Sequence, residues 1–183
     1  MNAWQKLGLS VCLDLSEEKV EESFRRVSEG AHPDAGGELG RFEEIREARD
    51  LLRDDFLRLE AWLELQGVEL THSGVISPEV GEMFVRVNEV TQGVDDWFAA
   101  RVTKSSGLGR ALSQKEGLEW KAQVEELIGV VAEWQEKAVM AFVSLEEDLV
   151  VSNALKVRDE LGFLRKWHAL LQGCFGRIWE GLI

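Results

Sequence analysis

His32-Pro33-Asp34, followed by Ala35-Gly36-Gly37, is the segment whose residue types and order could do chemistry. Proline fixes φ and the glycines accept dihedrals closed to other residues, so the segment reads as a turn. A carboxylate held on a stiff turn can accept a directional, charge-assisted pair from a guanidinium, and His32 can order the loop through hydrogen bonds. Catalysis is not set up around it. His32, His72 and His168 are the three histidines, and no His-Glu-x-x-His, Cys-x-x-Cys or clustered carboxylate-histidine set accompanies them. No phosphate-binding glycine motif is present either. The chain reads as no enzyme, with no catalytic residue, no metal site and no cofactor.

Two amphipathic helices must carry the turn. Ser16 followed by Glu17 and Glu18 is an N-cap with acids in the first turn, and it opens a helix running to about residue 30. Its inward stripe is Val20, Phe24, Val27 and Ala31. A second helix resumes near Leu39, with Phe42, Ile45, Ala48 and Leu52 facing the first in an antiparallel hairpin, which puts His32 to Asp34 at the tip. Lys19, Arg25 and Arg26 are the cations of the leading helix. Glu21-Arg25, Glu22-Arg26 and Arg25-Glu29 stand at i, i+4 spacing, each pair contributing about 0.2–0.5 kcal/mol.

Beyond the hairpin, Asp54-Asp55 marks a break before a short helix through Phe56, Leu59 and Leu63 that ends at Gly67. Residues 67–74 are a loop, and Ser77-Pro78-Glu79 restarts a helix with an N-cap, a first-turn proline and an early acid. That helix, to about residue 104, carries Val80, Phe84, Val87, Val94 and Phe98 on one face. Ser113-Gln114-Lys115-Glu116 fits a capping box for the next, whose stripe is Trp120, Val124, Leu127, Val131, Trp134, Ala138, Ala141 and Leu145. A last helix repeats the spacing with Ala154, Val157, Leu161, Leu164, His168, Leu171, Phe175 and Ile178. Three long stripes of this period predict an antiparallel three-helix bundle. The domain division is 1–66 and 77–183.

Composition bounds the partners. The formal net charge of −13 argues against nucleic acid and against an anionic membrane, since both need clustered Lys and Arg. Two prolines, no tyrosine and long runs without Gly-Pro punctuation favour an all-α fold. Cys12 and Cys174 are isolated, which points to reduced thiols and a cytoplasmic protein. The seven tryptophans read as core and interface filler.

With these residues in place, the first third of the chain resembles a J-domain, the hallmark of DnaJ-type co-chaperones. The tripeptide is preceded by Phe24-Arg25-Arg26-Val27 and followed by Phe42, Ile45, Ala48 and Leu51-Leu52, where that family's second and third helices pack. Residues 45–70, above all Arg58-Leu59-Glu60-Ala61-Trp62-Leu63-Glu64-Leu65-Gln66-Gly67, resemble the stretch joining J-domain to helical domain in the HscB family of iron-sulfur co-chaperones. Ala154-Leu155-Lys156-Val157-Arg158 and Gly162-Phe163-Leu164-Arg165-Lys166 are similar to its last helix.

The resemblance implies an N-terminal J-domain hairpin joined to a C-terminal three-helix bundle. It implies that His32, Pro33 and Asp34, with Lys19, Arg25 and Arg26, bind a DnaK/HscA-type ATPase chaperone and stimulate it. It also implies an IscU-type iron-sulfur scaffold, or another client protein, held by the bundle at Met83, Val85, Glu89 and Phe163. Val85 and Phe163 fall off the stripes and are expected to face solvent. Gly30, Ala31 and Ala35 replace residues that are commonly lysine, tyrosine and a basic residue in the family, so docking is expected to rest more on the tip or on the scaffold held by the bundle. Gly81 and Glu82 stand where the family tends to have large apolar residues.

Overall fold

Caps written in the sequence set where most helices begin. In this computed structural model, which describes residues 1–29, 39–74, 77–103 and 106–182, the Ser16 hydroxyl accepts the Lys19 amide at 3.3 Å, Asp54 accepts the Leu57 amide at 3.0 Å and Ser77 accepts the Val80 amide at 3.3 Å. The described residues form seven α-helices and no strand: α1 Ala3–Lys6, α2 Glu17–Ser28, α3 Leu39–Arg53, α4 Asp55–Leu65, α5 Pro78–Arg101, α6 Gly107–Glu147 and α7 Val151–Leu182. The all-α expectation is met, and the break at Asp54 falls where the sequence puts it. Gly67, at φ +74°, ends α4 while the Val68 amide reaches back to the Leu63 carbonyl at 3.0 Å. Among the described residues no helix is long and apolar enough to cross a membrane.

One start differs. The box at Ser113 opens nothing, because α6 has already begun at Gly107, where the Ser106 hydroxyl accepts the Gly109 amide at 3.0 Å. A capping serine needs a non-helical backbone, whereas Ser113 is buried inside the helix and its carbonyl accepts the Trp97 indole N–H at 2.9 Å.

The chain forms two compact units, Met1–Ser73 with Val139–Leu161, and Gly74–Ala138 with Gly162–Ile183, so α6 and α7 contribute to both. In the first unit α2 and α3 run antiparallel. Arg53, at the end of α3, pairs with Glu17 at the start of α2, while Phe24, late in α2, meets Phe42, early in α3, at 6.4 Å between ring centroids. Between these ends Arg49 lies 4.5 Å from the Phe24 ring centre. Trp4, Leu13, Val20, Leu52, Leu59 and Phe142 are among its buried side chains.

Polar ties close that unit across long sequence separations. Glu146 accepts the amides of Leu13 at 2.6 Å and Asp14 at 3.5 Å. Arg58 is buried, donates to the Leu52 carbonyl at 2.6 Å and to Asp55 at 2.5 Å, and lies 5.5 Å from the Phe142 ring centre. Burial pushes the Asp55 carboxyl up, against the opposing pull of Arg58. Arg158 bonds Glu60 at 2.5 Å and Asp159 at 2.9 Å, and Asp159 accepts the Ser73 amide at 2.7 Å. Burial alone would raise the Asp159 carboxyl, but the bonds from Ser73, Arg158 and His72 outweigh it and hold the group low.

The second unit is the antiparallel three-helix bundle. Arg86 pairs with Glu126 at 2.6 Å, and Trp97, further along α5, meets Ser113, earlier in α6, so these helices run in opposite directions. Asp95 pairs with Arg177, and Trp97 approaches Gly181, which makes α5 and α7 parallel. Trp97 is clamped between glycines: a Cβ on Gly117 would stand 2.5 Å from its Cζ2, and one on Gly181 2.6 Å from its Cη2.

Two stripes in this bundle differ from the sequence reading. On α5 the buried face is Val80, Met83, Val87, Val90, Thr91, Val94 and Trp97; Phe84 is half exposed and Phe98 only partly buried. On α7, Trp167 and Cys174 take the core positions in place of His168 and Phe175. Leu161, Leu164, Leu171 and Ile178 are buried in both readings, and what differs is the order of the steps between them: Trp167 and Cys174 lie three residues after Leu164 and Leu171, where the sequence reading takes the fourth. His168 is half buried, with Nε2 3.5 Å from Gln172 Nε2 and its buried Nδ1 unpaired. Trp179 is 48% exposed and meets Phe175 edge-on at 6.3 Å between ring centroids.

Candidate functional site

Two surfaces hold the candidate residues whose structure is described. The first is α2. Its Ser16 cap and first-turn acids Glu17 and Glu18 complement the positive helix end, and Arg25 and Arg26 complement the negative one. The segment 30–38, with His32, Pro33 and Asp34, lies outside the described residues, between the end of α2 and the start of α3.

Lys19, Arg25 and Arg26 are all exposed. The three i, i+4 pairs read from the spacing do not form. Glu21 turns its carboxylate to Arg53 of α3 at 2.9 Å, Arg25 Nε donates to the Glu21 carbonyl at 3.4 Å, and Arg26 donates to the Ser23 hydroxyl at 3.3 Å. Both guanidiniums thus rest on neutral oxygens and keep their charge available. They share one polar hollow with Glu18, Glu22 and Glu29, where three carboxylates face two guanidiniums, so this surface is mixed rather than cationic.

The second surface belongs to the bundle. Val85 is 54% exposed and Glu89, one turn on, is also exposed, which meets the expectation for Val85. Met83 turns inward and is 5% exposed. Phe163 is not fully solvent-facing: it packs against the core and stacks on Trp167 at 5.9 Å between centroids. The structure therefore separates the four, with Val85 and Glu89 outward, Met83 in the core and Phe163 at its edge.

Phe84 is the residue the sequence reading left out of this surface, since it stands beside Val85 at 51% exposure. Its signal was present. Val80, Met83, Val87, Val90, Val94 and Trp97 follow an unbroken 3,4,3,4,3 spacing, and a face that complete leaves Phe84 and Val85 outside it. The pair forms an apolar step on an otherwise polar helix face that includes Glu82, Arg86, Asn88 and Glu89. Among the described residues no group of three or more His, Cys, Asp or Glu side chains could hold a metal ion.

No family model and no curated protein sequence matches the chain. Its fold is like that of a solved structure, the chaperone HscB from Vibrio cholerae, with a TM-score of 0.60 over 100% of both chains at 21% sequence identity. At this identity it is a likeness of fold.

Proposed function

We infer that the chain is a co-chaperone that stimulates the ATPase of a DnaK/HscA-type chaperone and delivers an IscU-type iron-sulfur scaffold to it in the cytoplasm. The observation that carries this reading is the likeness of fold to an HscB chaperone over the whole of both chains, in a sequence whose His-Pro-Asp falls between α2 and α3. In this reading 1–66 is the J-domain with its connecting helix, 77–183 the scaffold-binding bundle, and the hydrolysis belongs to the partner.

The division of labour follows from chemistry. Asp34, stiffened by Pro33, offers a carboxylate to an arginine of the ATPase, a directional and charge-assisted contact. His32 orders the tip. Lys19, Arg25 and Arg26 meet acidic partner surface, and because three carboxylates share the hollow with Arg25 and Arg26, their contribution goes mainly into encounter rate. Val85 and Glu89, with Phe163 at the core edge, hold the scaffold, and Phe84 extends the apolar contact.

The test is a single-turnover ATPase measurement on a DnaK/HscA-type chaperone with the parent chain and with Asp34→Asn. Stimulation by the parent and its loss in a variant of unchanged helical circular dichroism are expected; equal stimulation by both would sink the mechanism. A second reading, a J-domain adaptor for a different client, is favoured by one observation: Met83 is buried, leaving Gly81 and Glu82 at the positions flanking Phe84 and Val85. Binding of a purified IscU-type scaffold, lost in Val85→Asp, separates the two.

A further inference from the structure

Arg53, at the end of α3, reaches across to two carboxylates of α2. It pairs with Glu17, and its Nη1 stands 2.9 Å from Glu21 Oε1, which also faces Arg49 Nε at 3.9 Å. That oxygen is buried and accepts no hydrogen bond from the described residues, so guanidinium charge is what holds it between the helices.

Without the Arg53 charge, Glu21 has one cation left on each helix. Arg49 is already engaged: its Nε and Nη2 bond Asp50 at 3.0 and 2.8 Å, and its guanidinium lies 4.5 Å from the Phe24 ring centre. Among the described residues Arg25 holds no carboxylate, and its Nε already folds back on the Glu21 carbonyl at 3.4 Å. It stands four residues after Glu21, the order in which an acid and a base on one helix attract best. The released carboxylate therefore turns to Arg25. Glu17 stays behind, more than two turns before Arg25, in the first turn where the helix dipole favours an acid.

Arg25 and Arg26 already share their hollow with Glu18, Glu22 and Glu29. A fourth carboxylate would tip that surface further towards acid and repel an acidic partner. We propose that Arg53 is a positioning residue for chaperone docking: by drawing the Glu21 carboxylate across to α3, it keeps the Arg25 charge free for an acidic partner surface. The proposal rests on the co-chaperone reading and adds to it a residue that acts through Glu21.

The experiment measures, by stopped flow, the association rate of the full chain with a DnaK/HscA-type chaperone at low and at physiological ionic strength, beside the maximal stimulation of its ATPase. Arg53→Gln slows association by about threefold at low ionic strength. The difference shrinks as salt screens it, and maximal stimulation is unchanged. Arg53→Gln/Glu21→Gln restores the parent rate although it lacks both ends of the tie, which a merely structural role for Arg53 would not allow. Arg53→Gln/Glu47→Gln has the same net charge and stays slow, because the exposed Glu47, two residues from Arg49, faces away from α2.

Equal rates for Arg53→Gln and the parent, a Glu21 double variant as slow as Arg53→Gln, or equal rescue by the two double variants each overturn the proposal, while stimulation by the parent leaves the co-chaperone reading standing. A parent that neither binds nor stimulates overturns that reading, and the proposal with it.

Discussion

The Trp97 indole donates its N–H to the carbonyl of Ser113 at 2.9 Å, and one turn along α6 Gly117 makes room for the same ring. One substitution therefore has opposite signs at two places in one helix. Gly117→Ala forces a methyl group against a rigid buried ring, which costs about 1–3 kcal/mol. Gly129→Ala, where nothing lies within 4 Å, stabilises by about 0.5–1 kcal/mol through helix propensity. Urea midpoints followed by tryptophan fluorescence decide it, and a loss at both positions would contradict the packing described.

Arg58 is a buried cation whose value lies in two partners at once. Arg58→Ala strands the Leu52 carbonyl and Asp55 and destabilises by about 3 kcal/mol. Arg58→Lys recovers only part of this, since a single ammonium lacks the guanidinium fork that bonds both. Equal stability of the lysine variant and the parent would show that the fork geometry is not what matters.

The sign of the Asp159 shift fixes a pH dependence. Because the folded carboxyl is held below the unfolded value of about 3.9, its contribution is present above that value and is lost as pH falls through the lower, folded pKa. Asp159→Asn is less stable than the parent by about 1–3 kcal/mol at neutral pH. The gap closes in acid, below the ordinary carboxylate range. Parallel denaturation series at neutral and acid pH read it directly, and a constant gap would remove the charged Asp159 from the account.

Neighbours on α5 separate stability from binding. Met83→Ala opens a cavity in the bundle and costs about 2–5 kcal/mol, whereas Val85→Asp, at a half-exposed position, stays within about 0.5 kcal/mol of the parent. Thermal melts of the two variants check this, and a large loss in the Val85 variant would place that residue in the core.

Much of this fold was legible locally. Ser16, Asp54, Ser77-Pro78 and Gly67 announce helix ends because capping is a short-range hydrogen-bonding problem. In the α6 repeat Val124, Leu127, Val131, Ala138 and Leu145 are buried as the spacing predicts, while Trp120, Trp134 and Ala141 are only partly buried and Phe142, beside Ala141, is the fully buried residue there. What failed was where several local solutions compete. On α5, apolar residues are so dense that the bulkier Phe84 was preferred to Met83, although burial follows the phase of the stripe rather than side-chain size. At Ser113 the box pattern was present, but nothing nearby says that the helix has already started.

The candidate site was less legible for a related reason. The spacing that pairs Glu21 with Arg25 is real, yet Arg53 on the neighbouring helix takes that carboxylate. No window along α2 contains it. His32, Pro33 and Asp34 were the readiest signal in the sequence, and they lie outside the described residues.

Glu146 binds the amides of Leu13 and Asp14, which precede it by 133 and 132 residues. A ribosome adds about 5–20 residues per second, so in the growing chain those amides wait on the order of ten seconds for their acceptor. The first unit takes its second segment, 139–161, from the same late stretch. Its N-terminal helices must spend that interval incomplete, with the surface that residues 139–161 later cover still open, and that exposure sets how long the half-built unit must stay out of other contacts.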